Sequence, residues 1–256
     1  AFLDGQSAIV AVLAEKSVRA ALRARDGSAR EIELAPATRP LASFPPTFWA
    51  SLAAGLVGLV VGVWVWMLRP GDAAARWLGL SGLGLFLAAV PASIYSTREL
   101  AIDGGFQSRL SVVNHVGGFI LGLSLAIFFL GFPNRIGPRW LRFAMSGAFA
   151  AWLALDLAHV TTPVHFYTLD LAQMASVLIA WGAQAVVTRH DADKRPALLW
   201  LGVASVFGVA AAALGMIGPI ALGAEPLMSQ GYLFAFFAAF FGTVAVGVGR
   251  HHMFDL

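Results

Sequence analysis

The chain has 256 residues, of which 59% are hydrophobic and only 12% are charged, with a formal net charge of +3 and no cysteine. An average soluble domain carries about 25% charged residues, so this deficit indicates a surface that faces lipid. The lack of cysteine excludes disulfides, thiolate catalysis and cysteine-ligated metals. The basic excess is too small and dispersed for a nucleic-acid patch, so no nucleic-acid partner is expected.

Residues 1–46 are more polar than the rest and predict a small soluble segment. Ser7–Leu13 is a short apolar run typical of a strand, and Glu15–Arg25 has the amphipathic pattern of a helix. Ala29–Leu34 alternates like a half-buried strand. A strand–helix–strand unit this short buries too little surface to be stable alone, so we expect the later part of a larger domain. Prolines between positions 36 and 46 predict a stiff linker into the membrane.

Residues 47–249 predict a bundle of seven transmembrane helices. A hydrocarbon core about 30 Å thick is crossed by ~20 apolar helical residues, and seven segments of about that length lie between polar or Pro/Gly-rich breaks. The predicted spans are Thr47–Leu68, Ala75–Tyr95, Leu110–Phe132, Leu141–Val160, Tyr167–Thr188, Pro196–Ile217 and Gln230–Val248. The predicted fold class is an all-α membrane protein preceded by a small, partial α/β segment.

Loop charge predicts the orientation of this bundle. The first, third and fifth loops and the C-terminal tail carry Arg69, Arg76, Arg135, Arg139, Arg142, Arg189, Lys194, Arg195 and Arg250. The alternate loops carry only Arg98 and Arg109. Because cytoplasmic loops are enriched in Lys and Arg, we expect residues 1–46 outside and the C-terminus in the cytoplasm. The expected location is a bacterial inner membrane.

Polar side chains in the predicted spans concentrate toward the outer side. Ionisable groups at membrane depth are costly, so each is a candidate for function. The candidate ligand-binding residues are Arg98, Asn114, His115, Asp156, His159, His165, Asp170 and Gln173. Asp156 and His159 are three residues apart and therefore share a helix face.

Three interpretations of this cluster stay open. The side chains form interhelical hydrogen bonds, or they line a ligand pocket open to the outside. In the third, His115, Asp156, His159 and His165 bind zinc or a b-type haem. Zinc needs three or four converging ligands, and no recognised ligand spacing is present, so no cofactor is expected. The spans contain no lysine for a retinal Schiff base, and the chain has no phosphate-binding or hydrolase motif.

Two pairs of glycines have the GxxxG spacing that permits close helix approach. They are Gly58 and Gly62 in the first predicted span, and Gly118 and Gly122 in the third. The spacing predicts either packing inside the bundle or a face for dimerisation, and both alternatives stay open.

The sequence around the ends of the bundle resembles a known class of signalling proteins. The chain ends VGVGRHHMFDL, an apolar helix end followed by basic residues and Met-Phe-Asp-Leu. This is similar to the exit from multi-pass sensor modules of bacterial histidine kinases. Thr38-Arg39-Pro40 before the first span, and Phe128–Pro133 at the end of the third, look like the competence-pheromone sensor kinases of bacilli and their proteobacterial relatives.

The resemblance implies the sensory module of a two-component signalling protein. It implies a PDZ-like segment at 1–46, a sensor bundle at 47–249 and a cytoplasmic exit at 250–256, where Arg250, Phe254 and Asp255 pass on the signal. It further implies a homodimer, a small or hydrophobic signalling ligand, and a kinase domain beyond Leu256. No catalytic residue of that family is present. The alternatives are an intramembrane metal- or haem-dependent enzyme and an accessory subunit of a membrane complex.

Overall fold

Long apolar helices form most of the chain. The computed structural model of the protein describes residues 2–23, 28–98, 101–158 and 163–251. Its elements are α1 (Phe2–Leu13), β1 (Val18–Arg23), β2 (Ala29–Leu34), α2 (Pro46–Leu68), α3 (Ala73–Ser96), α4 (Gly104–Gly131), α5 (Arg139–Leu157), α6 (Pro163–Val187), α7 (Lys194–Ala212), α8 (Gly218–Ala221) and α9 (Gln230–His251). A π-helical turn at Ala213–Ile217 joins α7 to α8.

Six helices within the described ranges are long and apolar enough to cross a bilayer. They are α2, α3, α4, α6, α7 with its extension to Ile220, and α9. The sequence prediction of spans is confirmed for these six. Helix α5 has 19 residues and is not among them, because Arg142 and Asp156 reduce its apolar character. The seventh span stays a prediction.

The N-terminal segment differs from its prediction. The strand predicted at Ser7–Leu13 is wrong, since these residues belong to α1. The helix predicted at Glu15–Arg25 is also wrong, since Val18–Arg23 forms β1 and pairs antiparallel with β2. The strand at Ala29–Leu34 is confirmed. The PDZ-like assignment depended on a strand–helix–strand order, and the observed helix–strand–strand order leaves it an unconfirmed prediction.

Contacts with the bundle explain why residues 2–13 are helical despite their β-branched composition. The backbone N–H of Gly104 donates to the Ser7 hydroxyl over 2.9 Å, and that hydroxyl donates to the Asp103 carboxylate over 3.1 Å. Asp103 also caps α4 by accepting from the N–H of Phe106, and these hydrogen bonds lower the pKa of the Asp103 carboxyl. Long-range packing therefore overrides a local strand preference here.

Helix α3 packs backbone to backbone against both α2 and α4. A Cβ atom on Gly82 would overlap the carbonyl oxygen of Gly58 in α2. One on Gly84 would overlap the backbone of Leu121 in α4. The GxxxG pair of α2 thus serves packing inside the bundle, since Gly62 also lies against α3. Small residues permit this close approach, which is a main source of helix association in lipid.

Helices α4 and α6 run parallel to each other. Near the middle of both helices, the Gln173 side chain of α6 donates to the Phe119 carbonyl of α4 over 3.2 Å. Near their ends, Gln184 donates to the Phe129 carbonyl over 2.8 Å. We call the end of the bundle where α4 and α6 begin the proximal end, and the opposite end the distal end.

Helix α5 runs antiparallel to α4 over most of its length. At the distal end, Arg142 of α5 donates to the Leu130 carbonyl of α4 over 2.8 Å. Toward the proximal end, Asp156 of α5 contacts His115 of α4. These contacts are separated by about 21 Å of α5 at 1.5 Å per residue, so α5 follows α4 through the middle of the bundle.

Replacement of Gly82 by alanine tests the packing of α3. The new methyl group has no room beside the Gly58 carbonyl, so we expect Gly82→Ala to destabilise the fold by about 1–3 kcal/mol. The matched control is Gly147→Ala in α5, where a Cβ meets no atom within 4 Å. Thermal unfolding in detergent, followed by circular dichroism, measures both variants. Equal unfolding midpoints for Gly82→Ala and the wild type would contradict the close α2–α3 contact.

Candidate functional site

A cavity of about 230 Å³ lies between five helices of the bundle. Its walls come from α3, α4, α6, α7 with its π-helical turn, and α9. The polar members of its lining are Tyr95, Asn114, His115, Tyr167, Asp170, Gln173, Ser205 and Gln230. The remaining members are glycine, alanine, aliphatic residues, methionine and phenylalanine. An interhelical cavity of this kind is a common site for small ligands.

The cavity is polar toward the proximal end and apolar toward the middle of the bundle. Along α4 its lining passes from Asn114 to Leu125, about 16 Å apart on the helix axis. Along α6 it passes from Asp170 to Val177, and α9 contributes Gln230 followed by leucine and phenylalanine. Three helices therefore present the same gradient from polar to apolar side chains, which suits an amphipathic ligand.

A contact between a histidine and an aspartate joins α4 to α5 beside the cavity. Nδ1 of His115 lies 3.0 Å from Oδ2 of Asp156. The aspartate is 8% exposed and the histidine is 26% exposed, so the carboxylate is the buried partner and the imidazole reaches the cavity. A carboxylate on one ring nitrogen fixes the orientation of the imidazole.

Two amide side chains in the cavity wall donate hydrogen bonds to backbone carbonyls of neighbouring helices. Nδ2 of Asn114 donates to the Ala88 carbonyl of α3 over 2.7 Å. Gln173 is buried, donates to the Phe119 carbonyl and packs against Gly122, where a Cβ would come within 2.5 Å of its Oε1. These hydrogen bonds hold α4 against α3 and α6, so both amides shape the cavity as well as line it.

Asp170 is in a different situation from the other polar residues. It lies about two turns into α6, is half-buried and lines the cavity. Within the described ranges of the chain, its carboxylate forms neither a hydrogen bond nor an ion pair. The Asp156 carboxylate also acts on it electrostatically. An aspartate without such a contact at membrane depth is costly, which makes Asp170 a candidate functional residue.

The structure brings together five of the eight predicted ligand-binding residues. Asn114, His115, Asp170 and Gln173 line the cavity, and Asp156 stands behind His115. Arg98 is not in the cavity wall. Its guanidinium donates to the Tyr95 carbonyl and lies 5.8 Å from the ring centroid of Phe2, so its role as a ligand-binding residue stays a prediction.

Several other predicted positions fall outside the described part of the chain. His159, Phe254 and Asp255 lie outside the described residues, as do the side chains of His165 and Arg250. Among the residues that are described, no group of three or more potential metal ligands is present. The metal interpretation therefore retains one histidine–carboxylate pair, His115 and Asp156, while zinc needs three or four ligands.

Sequence analysis missed part of the cavity lining. Tyr95 ends α3 and Gln230 begins α9, and the tyrosine hydroxyl donates to Oε1 of Gln230 over 3.4 Å. Tyr167 and Ser205 also line the cavity. Three of these four residues share a feature that the sequence does show. Tyr95, Tyr167 and Gln230 are polar residues at the proximal ends of predicted spans. Ser205 gave no signal, because a serine within a span usually bonds its own helix, as Ser205 does.

Irregular backbone forms one wall of the cavity. The π-helical turn Ala213–Ile217 places Met216 and Ile217 in the lining. The Gly215 carbonyl, displaced from the α-helical pattern, accepts from the N–H groups of Leu227 and Met228 over 2.8 and 3.2 Å. π-Helical turns within helices are frequent at functional sites. N–H groups of the loop before α9 thus hydrogen-bond to the Gly215 carbonyl at the point where α7 borders the cavity.

Comparison of the chain with protein-family models, with curated proteins and with solved structures finds no match. The function is therefore argued from the cavity and from the arrangement of the helices around it.

A double-mutant cycle tests the contact between α4 and α5. We expect His115→Ala and Asp156→Ala to be coupled by about 0.5–3 kcal/mol in unfolding free energy, because each removes the same interaction. The control pairs His115→Ala with Lys194→Ala, which lies at the distal end, and should be additive within about 0.5 kcal/mol. Chemical unfolding in mixed micelles provides the four free energies of each cycle. Additive effects of the first pair would show that the imidazole and the carboxylate do not interact.

Proposed function

We propose that this protein is a membrane receptor module that binds a small amphipathic ligand in the interhelical cavity. The observation that carries the proposal is the polar-to-apolar gradient shared by α4, α6 and α9 around one cavity. Polar groups near the proximal end suit a ligand head group, and the apolar interior suits its body. A ligand that favours one helix packing by a few kcal/mol is sufficient to change the populations of two packings.

The proposed topology has seven spans, with α5 as the seventh. Support comes from the parallel arrangement of α4 and α6, because two consecutive parallel spans require a crossing between them. Helix α5 runs beside α4 between the levels of Leu130 and His115. The distal end carries the loops rich in arginine and lysine, so the proposed cytoplasmic side is the distal one. The proposed location is a bacterial inner membrane.

Helix α9 is the proposed route of the signal. It lines the cavity from Gln230 to Phe240 and continues to His251 at the distal end. It also contacts α3 through the hydrogen bond between Tyr95 and Gln230. A ligand in the cavity would therefore touch the helix that leads out of the bundle. Together with the resemblance of the C-terminal sequence to sensor kinases, this supports a proposed cytoplasmic output domain and a dimeric assembly.

A metal- or haem-dependent membrane enzyme is the second candidate. One observation favours it, namely that Asp156 holds Nδ1 of His115, an arrangement typical of metal-bound histidine. A site would then need further ligands from His159 or His165. Stoichiometric metal or haem in the purified protein, lost in His115→Ala, would favour this enzyme over the receptor.

Single cysteines provide a clean test of the topology, because the natural chain has none. We introduce Ser43→Cys, Pro138→Cys, Ala158→Cys and Asp193→Cys at exposed positions. A membrane-impermeant maleimide added to intact cells should label Ser43→Cys and Ala158→Cys only. Lysis should expose the other two positions to the reagent. Labelling of Pro138→Cys and Ala158→Cys from the same side would contradict the proposed crossing by α5.

Filling the cavity tests the binding proposal. Ser205→Leu adds a bulky side chain to the lining, whereas Val206→Leu changes the neighbouring residue on the exposed face of α7. The probes share a phenylethyl body and are 2-phenylethanol, phenethylamine and 3-phenylpropanoate. We expect at least one probe to bind the wild type and Val206→Leu in nanodiscs, and to bind Ser205→Leu about tenfold or more weakly. Isothermal titration calorimetry measures the affinities. Unchanged affinity in Ser205→Leu would place binding elsewhere.

A further inference from the structure

The described part of the cavity lining carries more acidic than basic side chains. Its polar end has the Asp170 carboxylate in the lining and the Asp156 carboxylate behind it. The one imidazole among the described lining residues, His115, already contacts Asp156. The described part of the lining contains no lysine or arginine. A single imidazole therefore faces two carboxylates, and it is engaged with the one that does not line the cavity.

An ionised carboxylate at Asp170 needs an interaction that offsets the loss of its hydration. Taking an ionised carboxylate from water into a bilayer-embedded site costs several kcal/mol unless the group takes up a proton, or a cation or hydrogen-bond donors replace the water. Asn114 and Gln173, the two amides that α4 and α6 contribute to this lining, each donate one N–H to a backbone carbonyl, of Ala88 and of Phe119. Among the described residues, no side chain donates a hydrogen bond to Asp170, so a cation in the cavity can balance the charge of its carboxylate.

We infer that the ligand carries a protonated amine that pairs with Asp170. This inference rests on the proposed binding function of the cavity and specifies the chemistry of its ligand. An anionic head group would add a third negative charge, and a neutral hydroxyl would hydrogen-bond without balancing the charge. The tyrosine rings of Tyr95 and Tyr167 in the same part of the lining favour a cation further, because aromatic faces attract cations.

The rest of the ligand is apolar and small. Beyond Asp170 the lining becomes Val177 on α6, Leu125 on α4 and Phe240 on α9. The volume of about 230 Å³ is below the ~300–1,000 Å³ of pockets for drug-sized ligands. A primary or secondary amine with one short aliphatic or aromatic body fits these limits. A two-chain phospholipid is too large to occupy the cavity as a whole.

Affinities of the three phenylethyl probes test the head group directly. With the full chain in nanodiscs at neutral pH, we expect phenethylamine to bind about tenfold or more tightly than 2-phenylethanol, and 3-phenylpropanoate to bind most weakly. Asp170→Asn should reduce the affinity for the amine to that for the alcohol. Asp170→Glu, which keeps the charge, should retain the preference. Asp193→Asn is the matched control, since it makes the same substitution at an exposed position of the distal end.

The outcomes separate the inference from the proposed function. Equal affinities for amine and alcohol, unchanged by Asp170→Asn, would overturn the cationic ligand and leave the cavity as a binding site. Binding of none of the three probes would overturn both. If Asp170→Asn fails to fold, the comparison of probes on the wild type and on Asp170→Glu still decides the inference.

Discussion

The close backbone contact of α3 with its two neighbours is the constraint on which the rest of the bundle depends. At Gly82 and Gly84 no side chain beyond hydrogen fits between α3 and the helices on either side. The contact fixes the register of α4 against α3, which allows Asn114 to reach the Ala88 carbonyl. It also turns His115, the next residue, toward α5 and the cavity. The positions of the functional candidates on α4 therefore follow from packing between glycines.

Polar side chains inside the bundle fall into two groups. Asn114, Gln173 and Gln184 donate to backbone carbonyls of neighbouring helices, as expected where no water is available to satisfy them. They join α3, α4 and α6 at different depths. Asp170 belongs to the second group, because its oxygens accept no hydrogen bond among the described residues and it lines the cavity. The presence or absence of a hydrogen-bond partner therefore distinguishes structural polar residues from candidate functional ones more clearly than burial does.

The sequence predicted the architecture better than the site. The length of the apolar segments was sufficient to predict six spans, since it can be read along the chain. The strand predicted at Ser7–Leu13 was wrong because contacts of Ser7 with Asp103 and Gly104, distant in sequence, hold these residues in α1. The helix predicted at Glu15–Arg25 was wrong because Val18–Arg23 pairs with β2. Position along the chain likewise does not reveal that the Arg98 side chain turns toward Phe2 and away from the cavity lining. Convergence of α3, α6 and α9 on one cavity depends on packing that no single segment encodes.

The proposed receptor requires that water-soluble molecules reach the cavity and that Asp170 makes it acidic. The most direct test is the reaction of Ser205→Cys with charged methanethiosulfonate reagents, in a chain that has no other cysteine. The account predicts that this cysteine reacts, and that it reacts faster with the aminoethyl reagent than with the sulfonatoethyl reagent. The preference for the cation should disappear in Asp170→Asn. A Ser205→Cys protein that resists both reagents, or that reacts with both at equal rates whether or not Asp170 is present, would contradict the account.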